Sequence, residues 1–142
     1  MIDPVNPTQA ELLKWAYDPN SGMPIQDFDL LITDLDNLPL FLRIVEDKNC
    51  PKRWFFLKCL YLLVGDTVRF DSRFPGKKQH ELNYLRSVMT RTWMDGWPPM
   101  QNWIERSRFL LDHPDTFIYS DWCDGGFVLR DRTSNSMPPI DD

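Results

Sequence analysis

Eleven residues from Trp54 to Val64, interrupted only by Lys58, form the longest apolar run in the chain, and they constrain the fold more than any other feature. A helix that crosses a bilayer needs ~20 apolar residues, so this run does not span a membrane. Pro51 opens the segment, and Lys52 to Phe70 contains no helix breaker stronger than Gly65. The run therefore reads as one long helix that is apolar almost all round. Such a helix must be surrounded by other helices, because any exposed side would leave a large apolar patch in water. Lys58 on this helix is expected to snorkel or to pair with an acid from the flanking segments.

The neighbours are legible on both sides. Thr8 and Glu11 have the spacing of a capping box, which starts a helix over about 9–17. Asp18-Pro19-Asn20-Ser21-Gly22 closes it. Phe28, Leu30, Leu31 and Ile32 suggest one short helix between Pro24 and the turn at 34–37. Asn37 is placed to cap, and Pro39 to sit in the first turn of, a helix over 38–46, whose Leu38, Phe41, Leu42 and Val45 share a face. Leu82, Leu85, Val88, Met89 and Trp93 stripe a helix over 78–94 that ends at Asp95-Gly96-Trp97-Pro98-Pro99. Met100, Trp103, Ile104, Ser107, Leu110 and Leu111 mark another, stopped by Pro114. Residues 116–122 and 127–129 are rich in β-formers and flank Asp124-Gly125-Gly126, which predicts a short β-hairpin or an extended strap held by the helical body. From Asp131 the composition is that of a disordered tail. The expected fold is all-α: one domain over 1–130, a compact bundle of five to six helices with the hairpin or strap near its C-terminal end.

Within 37–68, Pro39 lies in the first helix, Asp47 follows in the turn, and Arg53 stands near the start of the second helix. That spacing of Pro, Asp and a basic residue resembles one HEAT-type helical hairpin, the unit of α-solenoids. The resemblance implies that Asp47 caps the turn and that Arg53 pairs with acidic groups of an adjacent turn. No second copy stands in register, and a solenoid buries its faces only by stacking several units, so the hairpin is expected inside a compact bundle.

Charge is laid out in blocks. The formal net charge is -5, with a sequence pI near 4.9. Residues 1–50 carry nine acids and three bases, 51–110 five acids and eleven bases, and 111–142 seven acids and two bases. One reading is internal, with acidic flanks packed against a basic middle. The other is an acidic face of Asp18, Asp27, Asp29, Asp34, Asp36 and Asp47 that captures a basic partner. The overall sign disfavours nucleic acid, because an acidic surface repels phosphate. The N-terminal MIDPVNPTQAELLKW has acid and proline where a secretory leader has a basic start and an apolar stretch, so the expectation is a cytoplasmic protein.

Few motifs carry chemistry. Asp27 and Asp29, and Asp34 and Asp36, are D-x-D pairs seven residues apart, a spacing able to gather carboxylates around a hard cation, but neither the glycine nor the closing glutamate of a calcium loop is present. His80 and His113, the two histidines, lack a metal-motif partner. Cys50, Cys59 and Cys123 are an odd set without C-x-x-C spacing, which argues against disulfides and thiolate zinc. Cys123, beside Gly125-Gly126, is the one candidate nucleophile. With six glycines in all, no phosphate-binding loop occurs, and no cofactor is implied. Lys52, Arg53, Lys58, Arg69, Arg73, Lys77 and Lys78, interleaved with Trp54, Phe70 and Phe74, have the composition of a basic and aromatic patch that stacks single-stranded bases.

Trp15, Trp54 and Trp103 fall on helix faces, whereas Trp97 and Trp122 fall in turn-rich segments where a ring beside acids suits a protein-binding hot spot. The expected role is therefore non-catalytic binding of another protein with a basic surface, through Asp27, Asp29, Asp34, Asp36, Asp47, Trp97 and Trp122. By class analogy such a chain is similar to a bacterial immunity protein that neutralises a toxin. The alternatives are a small enzyme using the D-x-D carboxylates or Cys123, and an RNA-binding module using 52–78.

Overall fold

The computed structural model describes residues 1, 3–90 and 96–136. They form α1 (Gln9–Ala16), α2 (Phe28–Ile32), a 3-10 turn (Leu35–Asn37), α3 (Leu38–Glu46), α4 (Arg53–Arg73), α5 (Gln79–Met89), α6 (Pro98–Asp112), a second 3-10 turn (Pro114–Thr116), α7 (Tyr119–Trp122) and α8 (Gly126–Ser136), with no strand among the described residues. The apolar run lies in α4, and α2, α3, α5, α6, α7 and α8 all pack against that helix. Phe56, Leu57, Cys59, Leu60, Tyr61 and Val64 are all fully enclosed. The described residues are all-α, as expected from an all-round apolar helix, but they form eight helices rather than five to six, the two additional ones being α7 and α8.

Local signals account for most boundaries. Glu11 N donates to Thr8 Oγ1 at 3.1 Å and Thr8 N to Glu11 Oε1 at 3.0 Å, the reciprocal pair that starts α1. Trp15 anchors α1 edge-on to Phe28 and Phe55, each ring centre 5.0 Å away, and its indole donates to Gly22 O at 2.9 Å. Helix α3 spans the expected residues, but Asn37 does not cap it with its side chain. Its amide instead donates to Ile32 O at 2.9 Å, tying the end of α2 to the start of α3, while Asp34 caps the intervening 3-10 turn by accepting from Asp36 N. The last five residues expected to extend α5 and its closing turn, 91–95, include Trp93 and lie outside the described residues.

The C-terminal part corrects the sequence reading. Residues expected to form a β-hairpin or strap are helical in α7 and α8. Aromatic and β-branched residues favour a pleated half-buried surface only when a sheet is there to receive them. Here the bundle receives them: Trp122 and Phe127 pack on Tyr61 of α4, with ring centres 5.3 and 5.6 Å away. Gly125, at φ +74°, turns the chain between the two helices. Asp131, read as the first residue of a tail, lies inside α8 and accepts a two-pronged bond from Arg106, at 2.7 and 3.1 Å. Residues 137–142 of that expected tail lie outside the described residues.

The charge blocks meet across the bundle. Lys58 pairs with Asp29 at 3.0 Å, Arg86 with Asp112 at 2.7 Å, and Arg106 with Asp131. Lys52 donates to the carbonyls of Trp15 and Asp18. Lys58, Arg86 and Arg106 of the basic middle are thus engaged by acids of the flanks, in the sense of the internal reading, while Arg69 and Lys78 pair within the middle itself.

Candidate acidic groove

Thr33 Oγ1 bonds back to Asp29 O as α2 ends, and the 3-10 turn that follows carries Asp34, Leu35 and Asp36 along one side of an open groove of about 870 Å³. Helix α4 contributes Leu63, Asp66, Thr67 and Phe70 to its lining. Helix α5 and its first residues supply Lys78, His80, Glu81 and Tyr84 from another side. Four carboxylates therefore share a concave surface that also has apolar and aromatic walls.

The carboxylates differ in their commitments. Asp66 pairs with Arg69 at 3.3 Å and lies 3.5 Å from the Cys123 thiol, and Glu81 pairs with Lys78 at 3.9 Å. Asp34 is occupied by the cap it makes. The carboxylate of Asp36 is exposed and has no partner among the described residues.

Of the seven residues expected to bind a partner, the groove gathers Asp34 and Asp36 only. Asp27 is exposed at φ +60° ahead of α2. Asp29 is buried against Lys58 and is not part of a surface. Asp47 accepts from Tyr17 Oη at 2.6 Å and from Asn49 N at 2.9 Å in the α3–α4 turn. These bonds hold its carboxyl below the usual range, while burial and the Asp47 charge push the Tyr17 phenol up to about 12. Trp97 is half-buried, edge-on to Trp54 at 4.8 Å and beneath the Arg53 guanidinium at 3.7 Å. Trp122 is 4% exposed, so the idea of an open turn-borne ring is corrected: the ring belongs to the core.

Asp66, Glu81 and Tyr84 were missed, and Phe70 was singled out only as a ring for stacking bases. The sequence does contain a signal for two of them, because Asp66 and Phe70 stand four apart on the less buried side of α4. Nothing local joins them to α5.

The other candidate chemistries fare differently. Asp27 and Asp29 do not join Asp34 and Asp36, and among the described residues no group of three or more His, Cys, Asp and Glu side chains is arranged around a common point. Cys123 is buried, and that burial, reinforced by Asp66, pushes its thiol up to about 12. Neither histidine serves it as a base: His80 lines the groove and His113 stacks on Phe109 with ring centres 4.4 Å apart. Burial likewise raises the thiols of Cys50 and Cys59. At pH 8 Cys123 is therefore held as the thiol, the unreactive form. An aromatic disulfide reagent is expected to leave all three thiols unmodified in the native protein and to count three in denaturant. Rapid native modification of Cys123 would restore the thiol-enzyme alternative.

Comparison with family models, with curated proteins and with solved structures finds no match to this chain.

Proposed function

We propose that the chain is a small protein-binding module that captures a basic partner protein in the acidic groove, and that it works in the cytoplasm in the manner of a bacterial immunity protein masking a toxin's cationic site. The observation that carries this reading is the convergence of Asp34, Asp36, Asp66 and Glu81 on one open concavity lined with Leu35, Leu63, Phe70 and Tyr84. Carboxylates at a rim steer a cationic surface and set its register, while apolar and aromatic walls supply the area that desolvates on contact. The same reading keeps α3 and α4 as a single HEAT-type hairpin, with Asp47 holding the turn and Arg53 donating to Val45 O at 2.6 Å.

The test uses the immobilised wild-type chain beside an Asp34→Asn, Asp36→Asn, Glu81→Gln variant, each exposed to an extract of the native host. The expected result is a basic protein that the wild type retains at low salt and releases as salt rises. Its association with the variant should be slowed about tenfold, with thermal stability little changed, because rim charges act mainly on the rate of encounter. Equal association rates and equal salt dependence for the two chains would remove the acidic groove as the docking surface.

A further inference from the structure

Among the described residues Lys78 is the one lysine or arginine that lines the groove, and its position describes what the groove accepts. Its ammonium lies 4.9 Å from the centre of the Phe70 ring and 3.9 Å from Glu81 Oε2. A cation is thus seated between an aromatic face and a carboxylate. The hold on it is light. The ion pair is a long i,i+3 contact between partly exposed groups, a class in which solvent and side-chain freedom offset most of the attraction. The flexible four-carbon stem also regains rotamer freedom on leaving.

The ring beneath it is larger than one ammonium needs. Phe70 is 42% exposed and lies tilted against Phe74, 52% exposed, with ring centres 4.9 Å apart. Two neighbouring exposed aromatic rings at the edge of a charged concavity are the composition of an interface. Elsewhere in the molecule the same kind of seat is filled by arginine. The Arg106 guanidinium lies 4.3 Å from the Phe127 ring centre and forks onto the Asp131 carboxylate. A planar guanidinium stacks and bonds bidentately at once, and it gives up less hydration than an ammonium does.

Resting on the reading that the groove binds a basic protein, we propose that its occupant is an arginine-bearing segment of that partner, whose guanidinium displaces Lys78 from the seat between Phe70 and Glu81. The displaced ammonium swings into solvent, Asp36 faces the incoming charge, and Leu35, Leu63 and Pro39 receive an aliphatic residue beside the arginine. Lys78 is then a built-in competitor that keeps the seat ordered and covered when no partner is present.

The probes are three blocked pentapeptides with arginine, lysine or citrulline between two leucines, titrated into isotopically labelled protein and followed by chemical-shift changes. The arginine peptide is expected to move the signals of Phe70, Glu81 and Tyr84, the lysine peptide to bind several-fold more weakly, and the uncharged citrulline peptide to cause no shift. Lys78→Ala should tighten the arginine peptide by about threefold or more, because the competing cation is gone, and Glu81→Gln should weaken it by a similar factor. A Lys78→Ala chain that binds the arginine peptide no better than wild type overturns the displacement. So does equal binding of lysine and arginine peptides, and in both cases the acidic groove survives as the docking surface. Failure of every cationic peptide to shift these signals overturns the inference and removes support for the groove together.

Discussion

Gly65→Ala is expected to destabilise the protein by about 1–2 kcal/mol, against the usual direction for such a change inside a helix. Alanine is favoured over glycine by about 1 kcal/mol in a helix interior, so propensity alone predicts a gain. The space for the methyl is absent. A Cβ at Gly65 would lie 2.9 Å from Cys123 Sγ, 3.0 Å from Trp122 Cβ and 3.2 Å from Phe117 Cε1. The Trp122 contact is the decisive one, because a Cβ atom moves only with its backbone, so α7 would have to back away from α4. Overpacking of this kind costs about 1–3 kcal/mol, more than propensity returns. Thermal or urea unfolding of Gly65→Ala measures the net effect. Adding Cys123→Ala should recover only part of the loss, since the clash with Trp122 stays. A Gly65→Ala protein as stable as wild type would mean that α7 does not sit on α4 as described.

Asp131→Asn is expected to be worse, by about 2–3 kcal/mol. Arg106 reaches from α6 to donate to the Tyr61 hydroxyl of α4 at 2.9 Å and to both oxygens of Asp131 in α8, with the Phe127 ring against its face. The Asp131 side chain is 10% exposed and that of Arg106 29%. Removing one charge of such a pair leaves the other in a poorly hydrated place with one good acceptor lost. Arg106→Lys should also destabilise, because an ammonium cannot fork onto Asp131 and stack on Phe127 together. The contrast is Arg130→Ala on the next residue: Arg130 pairs with Asp121, but its side chain is 58% exposed. Exposed pairs contribute about 0–1 kcal/mol, so this variant should unfold close to wild type. If denaturant midpoints show Asp131→Asn no worse than Arg130→Ala, α8 is not held by the Arg106 fork.

These two sites also mark where reading the residues in order stops working. The helix at α4 was legible because an apolar surface all round has one solution, and the start of α1 because Thr8 and Glu11 satisfy each other within one turn. Helix α8 had no such signal. Past Leu129 it presents Arg130-Asp131-Arg132-Thr133-Ser134, a polar run without an apolar stripe, and what holds it there is a bond from a residue 25 positions away. Phe117, Tyr119 and Trp122 suggested strand because aromatic residues fit a pleated surface, but that preference yields when a helix surface such as that around Tyr61 is available. The groove divides in the same way. Asp34 and Asp36 were legible as turn acids. Asp66 and Glu81 meet them only because α4 and α5 fold back, and a pairing that long-range leaves no mark in local spacing. The sequence also failed to separate acids that face water from acids that face a lysine, and Asp29 was misjudged for that reason.

Helix α4 touches each of the other described helices, α1 through the Trp15 ring against Phe55 and the rest along its length. In a stacked array, each unit leans on its two neighbours, so an end can fray while the middle stands. A hub has no such ends. Among the described residues the largest share of the core lies on α4, and that helix stays partly bare until α8 has docked. Folding therefore couples the described helices through one shared partner, and the most apolar segment of the protein is only partly covered by α2 and α3 until the helices that follow it have docked.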